Sequence, residues 1–429
     1  MSVALPLLLS ALTFGLGWAI RGHFGHEWGA SWAGAMGALA VLVASRNRDW
    51  MGRAPVLTAL GAIGWAVGGM MSYGIVVGYC RGTDFFNVAY GYAMLAVIGG
   101  LYGFIGGGLF GLGLETTNEK KPKWPSLLAE MVAGAWIFWG FIIYQLEWKM
   151  TPPRSELWAA CLGAAAALAW YCQRARFHRA LRVAAYSALG GGFGFFFGNF
   201  LQVMGNVSGT PYNWWNVMEF SLGFCGGLGM AYAVLSSDWP RAAAPSKTAN
   251  GLALILIVAA IPLTNFIVQF EPGKLLKLAE SMNLSHAEMF VRTQNLFGWI
   301  LMAACTLAAL LAWRRFRDDV EILYRLVVPL FLFFYGLYYT LFGHIVKGFF
   351  YRPYSLRHSD ALYLPVLVLT VLFWLLIRKK EPPLPLIRPP KESAGRWTTV
   401  FAILIVIVVL VALISINSHA DMGGAHERF

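Results

Sequence analysis

Charge is scarce in this chain. Asp, Glu, Lys and Arg make up 13% of its 429 residues, about half the ~25% of soluble domains. That density excludes a disordered polyelectrolyte and an ordinary cytosolic enzyme. Cysteine is sparse as well. Cys80, Cys161, Cys172, Cys225 and Cys305 fall in or beside apolar runs, with no CxxC pair among them. They read as small core residues, so neither a disulfide frame nor a thiolate metal site is expected. No phosphate-binding loop, dinucleotide fingerprint, haem site or nucleic-acid module is legible, and no cofactor is expected. Lys and Arg are missing before the first apolar run, so that run reads as a retained helix rather than a cleaved leader.

What the chain has in excess is apolar residue. The hydrophobic share is 58% and the mean hydropathy is +0.59. This defines an all-α, polytopic transmembrane helical bundle. About 20 mostly apolar residues cross the ~30 Å hydrocarbon core. On that rule thirteen segments are predicted, near 4–21, 28–45, 55–79, 88–114, 125–146, 156–173, 181–203, 214–235, 250–270, 286–313, 321–346, 360–378 and 397–416. The first twelve form a bundle over 1–378. A Pro- and charge-rich cytoplasmic linker follows over 379–396, then a peripheral C-terminal helix over 397–417 and a flexible extracytoplasmic tail over 418–429. Connections behind even-numbered helices carry twice the Lys and Arg of the opposite side. Positive charge is retained on the cytoplasmic side, which predicts a cytoplasmic N-terminus and an extracytoplasmic C-terminus. The same rule accounts for the net charge of +12 without nucleic acid. The expected location is a plasma membrane of the bacterial inner-membrane kind, with the lipid bilayer as the obligatory partner.

Glycine is the second excess, with 47 residues. Three Gly-rich helix hairpins resemble one another. Ser10-Ala11-Leu12 leads to Gly17-Trp18, Thr58-Ala59-Leu60 to Gly64-Trp65, and Ser187-Ala188-Leu189 to a Gly/Phe run. All start on the same side, so they read as parallel repeats. Lipid supplies no hydrophobic drive between helices, and glycine lets backbones approach closely. The pattern suits tight packing alone, or repetition around a solute path.

Two outer segments concentrate Arg and His where positive charge is not expected. The first holds Arg21, His23, His26 and Glu27. Arg21 sits near hydrocarbon, where a charge needs a partner or a cavity, and Glu27 is the nearest carboxylate in sequence. His23, His26 and Glu27 are the candidates for acid–base or proton-exchange chemistry. Their order, His-x-x-His-Glu, matches no zinc helix motif, and Gly25 weakens the helix it would need, so no metal is expected. The second segment holds His344, Lys347, Arg352, Tyr354, Arg357, His358 and Asp360. Arg offers a fixed fork of donors to phosphate or carboxylate. Together with Arg21, Arg81 and Asp84, these residues are expected to bind a small anionic solute or a lipid headgroup. Asn199, Gln202, Asn206, Asn213 and Glu219 are further outer candidates around the seventh–eighth hairpin. Glu130, inside the fifth predicted helix, is a candidate proton site or a group snorkelling to water.

The function expected is a transporter or permease for a small anionic or polar solute. One alternative is a membrane-embedded enzyme acting on a lipid or lipid-linked anion at the outer leaflet. Another is a non-catalytic subunit whose last helix docks a protein partner. The transporter expectation requires the Glu27 and Arg357 segments to meet in space.

Overall fold

The computed structural model describes residues 4–316, 384–388 and 393–429, with Val368 and Leu372. The described residues are all helical, without strands. The first elements are α1 (Ala4–Ile20), α2 (His26–Ser45), α3 (Arg48–Met51), α4 (Ala54–Gly69), α5 (Gly74–Tyr79) and α6 (Phe85–Glu115). Next come α7 (Trp124–Trp139, extended by a π turn to Gln145), α8 (Leu157–Arg174), α9 (His178–Val207) and α10 (Trp214–Leu235). Then follow α11 (Lys247–Leu254), α12 (Ile261–Gln269), α13 (Pro272–Ser281), α14 (Ala287–Phe316) and α15 (Ala394–Ile416). Among the described residues seven helices are long and apolar enough to cross a membrane, and α1 and α4 are shorter apolar helices. Of the thirteen predicted segments, 321–346 and 360–378 lie outside the described residues, apart from Val368 and Leu372. Between the α12 and α14 helices, α13 buries Leu275 and Ala279 and carries Lys274, Lys277 and Glu280 on its other positions.

Six helices close into a ring. Taken in cyclic order, α1 packs on α2, α2 on α4, α4 on α6, α6 on α9, α9 on α10, and α10 back on α1. These are the six helices of the three glycine-rich hairpins. Glycine makes the contacts between them. A Cβ on Gly99 of α6 would collide with the carbonyl of Gly191 on α9, and a Cβ on Gly191 with the carbonyl of Gly99. With only hydrogen at Cα, the two backbones touch directly, and dispersion replaces the absent hydrophobic drive.

One predicted segment is divided. The run 55–79 reads as a continuous span, yet α4 stops at Gly69 and α5 starts at Gly74. The last turn of α4 lies so close to α2 that a Cβ on Gly69 would press on the His26 carbonyl and the Glu27 backbone. The four residues that follow are not continued as helix, and the last of them, Tyr73, is buried.

The ends of the ring differ. At one end Arg53 donates to the carbonyls of Gly113 (3.0 Å) and Thr116 (3.2 Å). There the buried Glu115 carboxylate accepts from the Ala180 backbone at 2.9 Å and pairs with Lys120 and Arg179 at 3.6 Å. Burial holds the Arg53 guanidinium below its ordinary pKa because the charged form loses hydration. At the other end lie Arg21, Tyr73 and the 418–429 segment.

That segment, expected to be flexible, is seated on the α5–α6 corner. The Met422 backbone donates to the Arg81 carbonyl at 3.0 Å, His426 to the Gly78 carbonyl at 3.1 Å, and Arg428 to Asn87 Oδ1 at 2.7 Å. Asn87 Nδ2 donates to the His426 carbonyl at 2.8 Å. Polar composition suggests solvation, but the buried Asn87 amide gives the backbone specific partners.

The ring contact generates a stability prediction. Gly99→Leu should lower the unfolding free energy by about 1–3 kcal/mol or more through overpacking. Gly140→Leu, whose Cβ would meet nothing within 4 Å, should be nearly neutral. Thermal unfolding in detergent checks this, and equal melting temperatures for the two variants would refute glycine contact as the ring's fastener.

Candidate functional site

Arg21 is 1% exposed. It opens a 3₁₀ turn, Arg21–Phe24, directly after α1. Gly25 then adopts φ +83°, a backbone state that side chains disfavour, and reverses the chain into α2. Gly29 keeps α2 against the turn, since a Cβ there would strike the Arg21 carbonyl. The turn is therefore clamped between helices, and the guanidinium has no route to snorkel to water.

Its partner comes from α10. Arg21 Nη2 lies 3.2 Å from Glu219 Oε2 and 3.4 Å from Oε1, with both side chains buried. The meeting follows from helix geometry. Gly223 of α10 packs on the Cβ of Trp18. One turn further along each antiparallel helix brings Arg21 and Glu219 face to face. Tyr73 completes the group from the α4–α5 break. Arg21 Nη2 donates to the Tyr73 hydroxyl at 2.9 Å, and that hydroxyl donates to Glu219 Oε1 at 2.6 Å. The phenol thus both accepts and donates within the group.

The pair rests on an aromatic floor. The guanidinium carbon of Arg21 lies 4.6 Å from the Trp18 ring centroid, within cation–π range. Trp18 meets Trp65 and Tyr102 edge-on, at 5.1 Å each. Phe14 meets Trp65 at 4.5 Å. These rings come from α1, α4 and α6, and Trp65 also reaches Gly226 of α10. They close the middle of the ring below the ion pair. Within this floor Trp18 Nε1, Trp65 Nε1, the Tyr102 hydroxyl and Arg21 Nε are buried without hydrogen-bond partners among the described residues. Each such group costs about 1–3 kcal/mol when left unmade. Glu219 Oε2 is likewise without a hydrogen-bond donor, so the ion pair and its floor together hold three idle ring donors, an idle guanidinium N–H and an idle carboxylate oxygen.

The residues singled out from sequence are distributed as follows. Arg21 is central, but its carboxylate is Glu219 and not Glu27. Glu27 is exposed in the first turn of α2, where a carboxylate favours the helix N-terminus. His26 is exposed beside it, its ring 5.8 Å from that of Tyr73. His23 lies in the 3₁₀ turn, and its side chain is outside the described residues. Arg81 Nη1 donates to the Gly423 carbonyl at 3.1 Å. Asp84 caps α6 by accepting from the Asn87 backbone at 2.8 Å. Both therefore have structural partners away from Arg21. Glu130 on α7 pairs with Arg174 of α8 at 2.5 Å, outside the six-helix ring. His344, Lys347, Arg352, Tyr354, Arg357, His358 and Asp360 lie outside the described residues. Among the described residues no three His, Cys, Asp or Glu side chains converge.

The sequence does not single out Tyr73, and it offers Glu219 only among the outer candidates of the seventh–eighth hairpin, without a link to Arg21. The signal for Glu219 is its isolation as a carboxylate within an apolar span. For Tyr73 there is only the glycine pair before the break. Comparison of the chain with protein families, curated proteins and solved structures gives no match.

The pairing has a direct stability consequence. Arg21→Met leaves Glu219 buried and uncompensated, and should cost about 3–5 kcal/mol. Arg21→Met combined with Glu219→Leu removes both charges and should recover most of the loss. Chemical unfolding of the two variants measures the difference. A double variant no more stable than the single would deny the coupling.

Proposed function

We propose that this chain is a permease-type membrane transporter for a small anionic or polar solute, with Arg21, Tyr73 and Glu219 as its solute and proton site. The observation that carries the reading is the charge-paired cluster inside an apolar helical ring. Intramembrane ionisable residues are expensive, and they mark substrate or proton paths by default. The α4–α5 break adds support, because discontinuous helices form transporter sites. So do the unpartnered donors, which would satisfy the oxygens of a carboxylate, phosphate or other polar solute.

In this reading the solute's oxygens compete with Glu219 for Arg21. A proton taken up by Glu219 releases Arg21 to the solute, and loss of that proton restores the pair and expels it. His26, beside Tyr73 at the exposed rim, would carry the proton in and out. The aromatic floor closes the path toward the end bearing Arg53 and Glu115. Trp65 spans the ring and is the group that must swing for the solute to pass. The basic end faces the cytoplasm in this proposal, by the positive-inside rule, which puts the ion pair toward the outer side of a plasma membrane. The Arg352–Arg357 segment would collect the anion there. The parallel hairpins would be the moving units.

The closed floor also favours a second reading. A site reached from one end only fits a membrane-embedded enzyme acting on a lipid-linked anion at the outer leaflet. Transport and turnover separate the two readings.

The experiment is stabilisation followed by uptake. Purified protein is screened by thermal shift against small carboxylates, phosphates and zwitterions, and the stabilising compound is then offered to proteoliposomes. Arg21→Gln should weaken binding and uptake about 10- to 100-fold, the value of one charge-assisted bond, whereas Glu219→Gln, which mimics the protonated carboxyl, should keep or strengthen binding and abolish proton-coupled uptake. Tyr73→Phe should weaken both less than Arg21→Gln does. Undiminished uptake in Arg21→Gln would reject the site. Chemical conversion without accumulation would favour the enzyme.

A further inference from the structure

A second feature lies on the outside of the ring. Helix α15 is pinned at both ends. Trp397 meets Tyr186 of α9 at 5.4 Å near the basic end. Near the other end Val411, Ala412 and Ser415 are buried, and Tyr92 of α6 contacts Ser415 Oγ at 3.3 Å. Between these points α15 stands away from α6 and α9 and leaves a crevice of about 1360 Å³. That exceeds the ~300–1,000 Å³ usual for pockets that hold small drug-sized ligands.

The crevice has a graded lining. Its floor sets small residues, Ala93, Ala96 and Gly100 of α6 with Ala188 and Gly192 of α9, between larger ones such as Phe104 and Phe193. Its wall is made of bulky ones on α15, including Phe401, Leu404 and Val408. Along α6 it runs from Asp84 to Phe104, which at 1.5 Å per residue is about 30 Å, the thickness of the hydrocarbon core. All three bounding helices are candidate membrane spans. At that depth the medium is hydrocarbon chain, and an apolar crevice of that length is filled by one.

One end is polar. Phe429 closes it by packing on Tyr90 at 5.2 Å, and both residues line the crevice. The Tyr90 hydroxyl is buried there without a hydrogen-bond partner among the described residues, and so is Nε of Arg428, which lies outside the lining with its guanidinium carbon 5.8 Å from the Phe429 ring centroid. Both are donors. The Asp84 carboxylate at the same end accepts from the Asn87 backbone, so the N-terminus of α6 takes up its charge. Two unpartnered donors at the mouth of a hydrocarbon slot match the oxygens of a phosphodiester or an acyl ester.

From this arrangement we infer that the α6–α9–α15 crevice is a specific phospholipid site, its floor and wall taking a hydrocarbon chain and Tyr90 and Arg428 holding the ester or phosphate oxygens. The proposal is independent of the solute site. It gives the C-terminal segment a role, since residues 421–429 carry both the lid, Phe429, and one of the donors.

The test is native mass spectrometry of the full chain purified in mild detergent, with lipid extraction and phosphorus analysis. The wild type should retain one phospholipid per chain after detergent exchange. Gly100→Phe and Ala93→Phe should displace it by filling the floor. Gly100 has room for this, as the nearest neighbour to its Cβ is the Ala188 carbonyl at 3.7 Å. Tyr90→Phe and Arg428→Gln leave the slot open and should reduce retention roughly tenfold, as loss of one bond to a charged oxygen does. Leu128→Phe, on the exposed surface of α7, should retain the lipid. If the floor variants fail to fold, the two donor variants still decide. A wild type without phospholipid, a phosphorus-free occupant, or retention unchanged across the donor variants would each overturn the inference.

Discussion

The structure depends on backbone-to-backbone contact between helices that have no aqueous reason to associate. In lipid a leucine surface gains little by turning inward, because the solvent is equally apolar. Association then has to come from dispersion over a close, extended contact and from polar pairs. The six ring helices obtain the first through glycine, as Gly99 against Gly191 and Gly64 against Gly106 demonstrate. Only such contact draws the ring tight enough that the side chains within it become fully buried.

That tightness sets the character of the interior. Trp65 fits across the ring because Gly106 of α6 and Gly34 of α2 leave space beside it, and because Gly226 faces it from α10. The same narrow interior isolates Arg21 from water and forces its charge to be met locally. Glu219 does so by ion pair, Tyr73 by hydrogen bond and Trp18 by its ring face. In a low-dielectric setting a half-satisfied network costs more than an apolar core. A cluster that keeps one carboxylate, one guanidinium and several idle donors is thus hard to explain as scaffolding alone.

Helix positions were legible because hydropathy is local. The described apolar segments are helices within a few residues of their expected bounds, and α10 matches its expectation, 214–235, at both ends. Arg21 was legible because a guanidinium between two apolar runs stands out against its neighbours. Its partner was not. Glu219 lies 198 residues away in sequence, and nothing in the residues around Arg21 encodes which helix will face it, so proximity in sequence pointed to Glu27. Tyr73 was hidden for a different reason. A hydropathy window averages Met70, Met71 and Ser72 into the surrounding run, so a four-residue break leaves no dip. Where the last segment would sit was not legible in its composition. Gly, His, Asp and Arg read as solvated chain, while the partners that order it, Asn87 and Gly78, belong to a distant corner.

The two polar features of the molecule divide the work that glycine makes available. Inside the ring, close packing removes water and leaves charge that has to be answered by other charge, as Glu219 answers Arg21. Outside the ring, α15 brings only Gly395, near its start, and bulky aliphatics and aromatics face α6 and α9 instead. Backbones there cannot touch, so α15 is held at its ends and stands off between them. The same physical rule that seals the interior therefore leaves the periphery open. A helix that could pack by glycine would close the crevice, and the choice of Phe401, Leu404 and Val408 is what keeps it a slot of hydrocarbon dimensions.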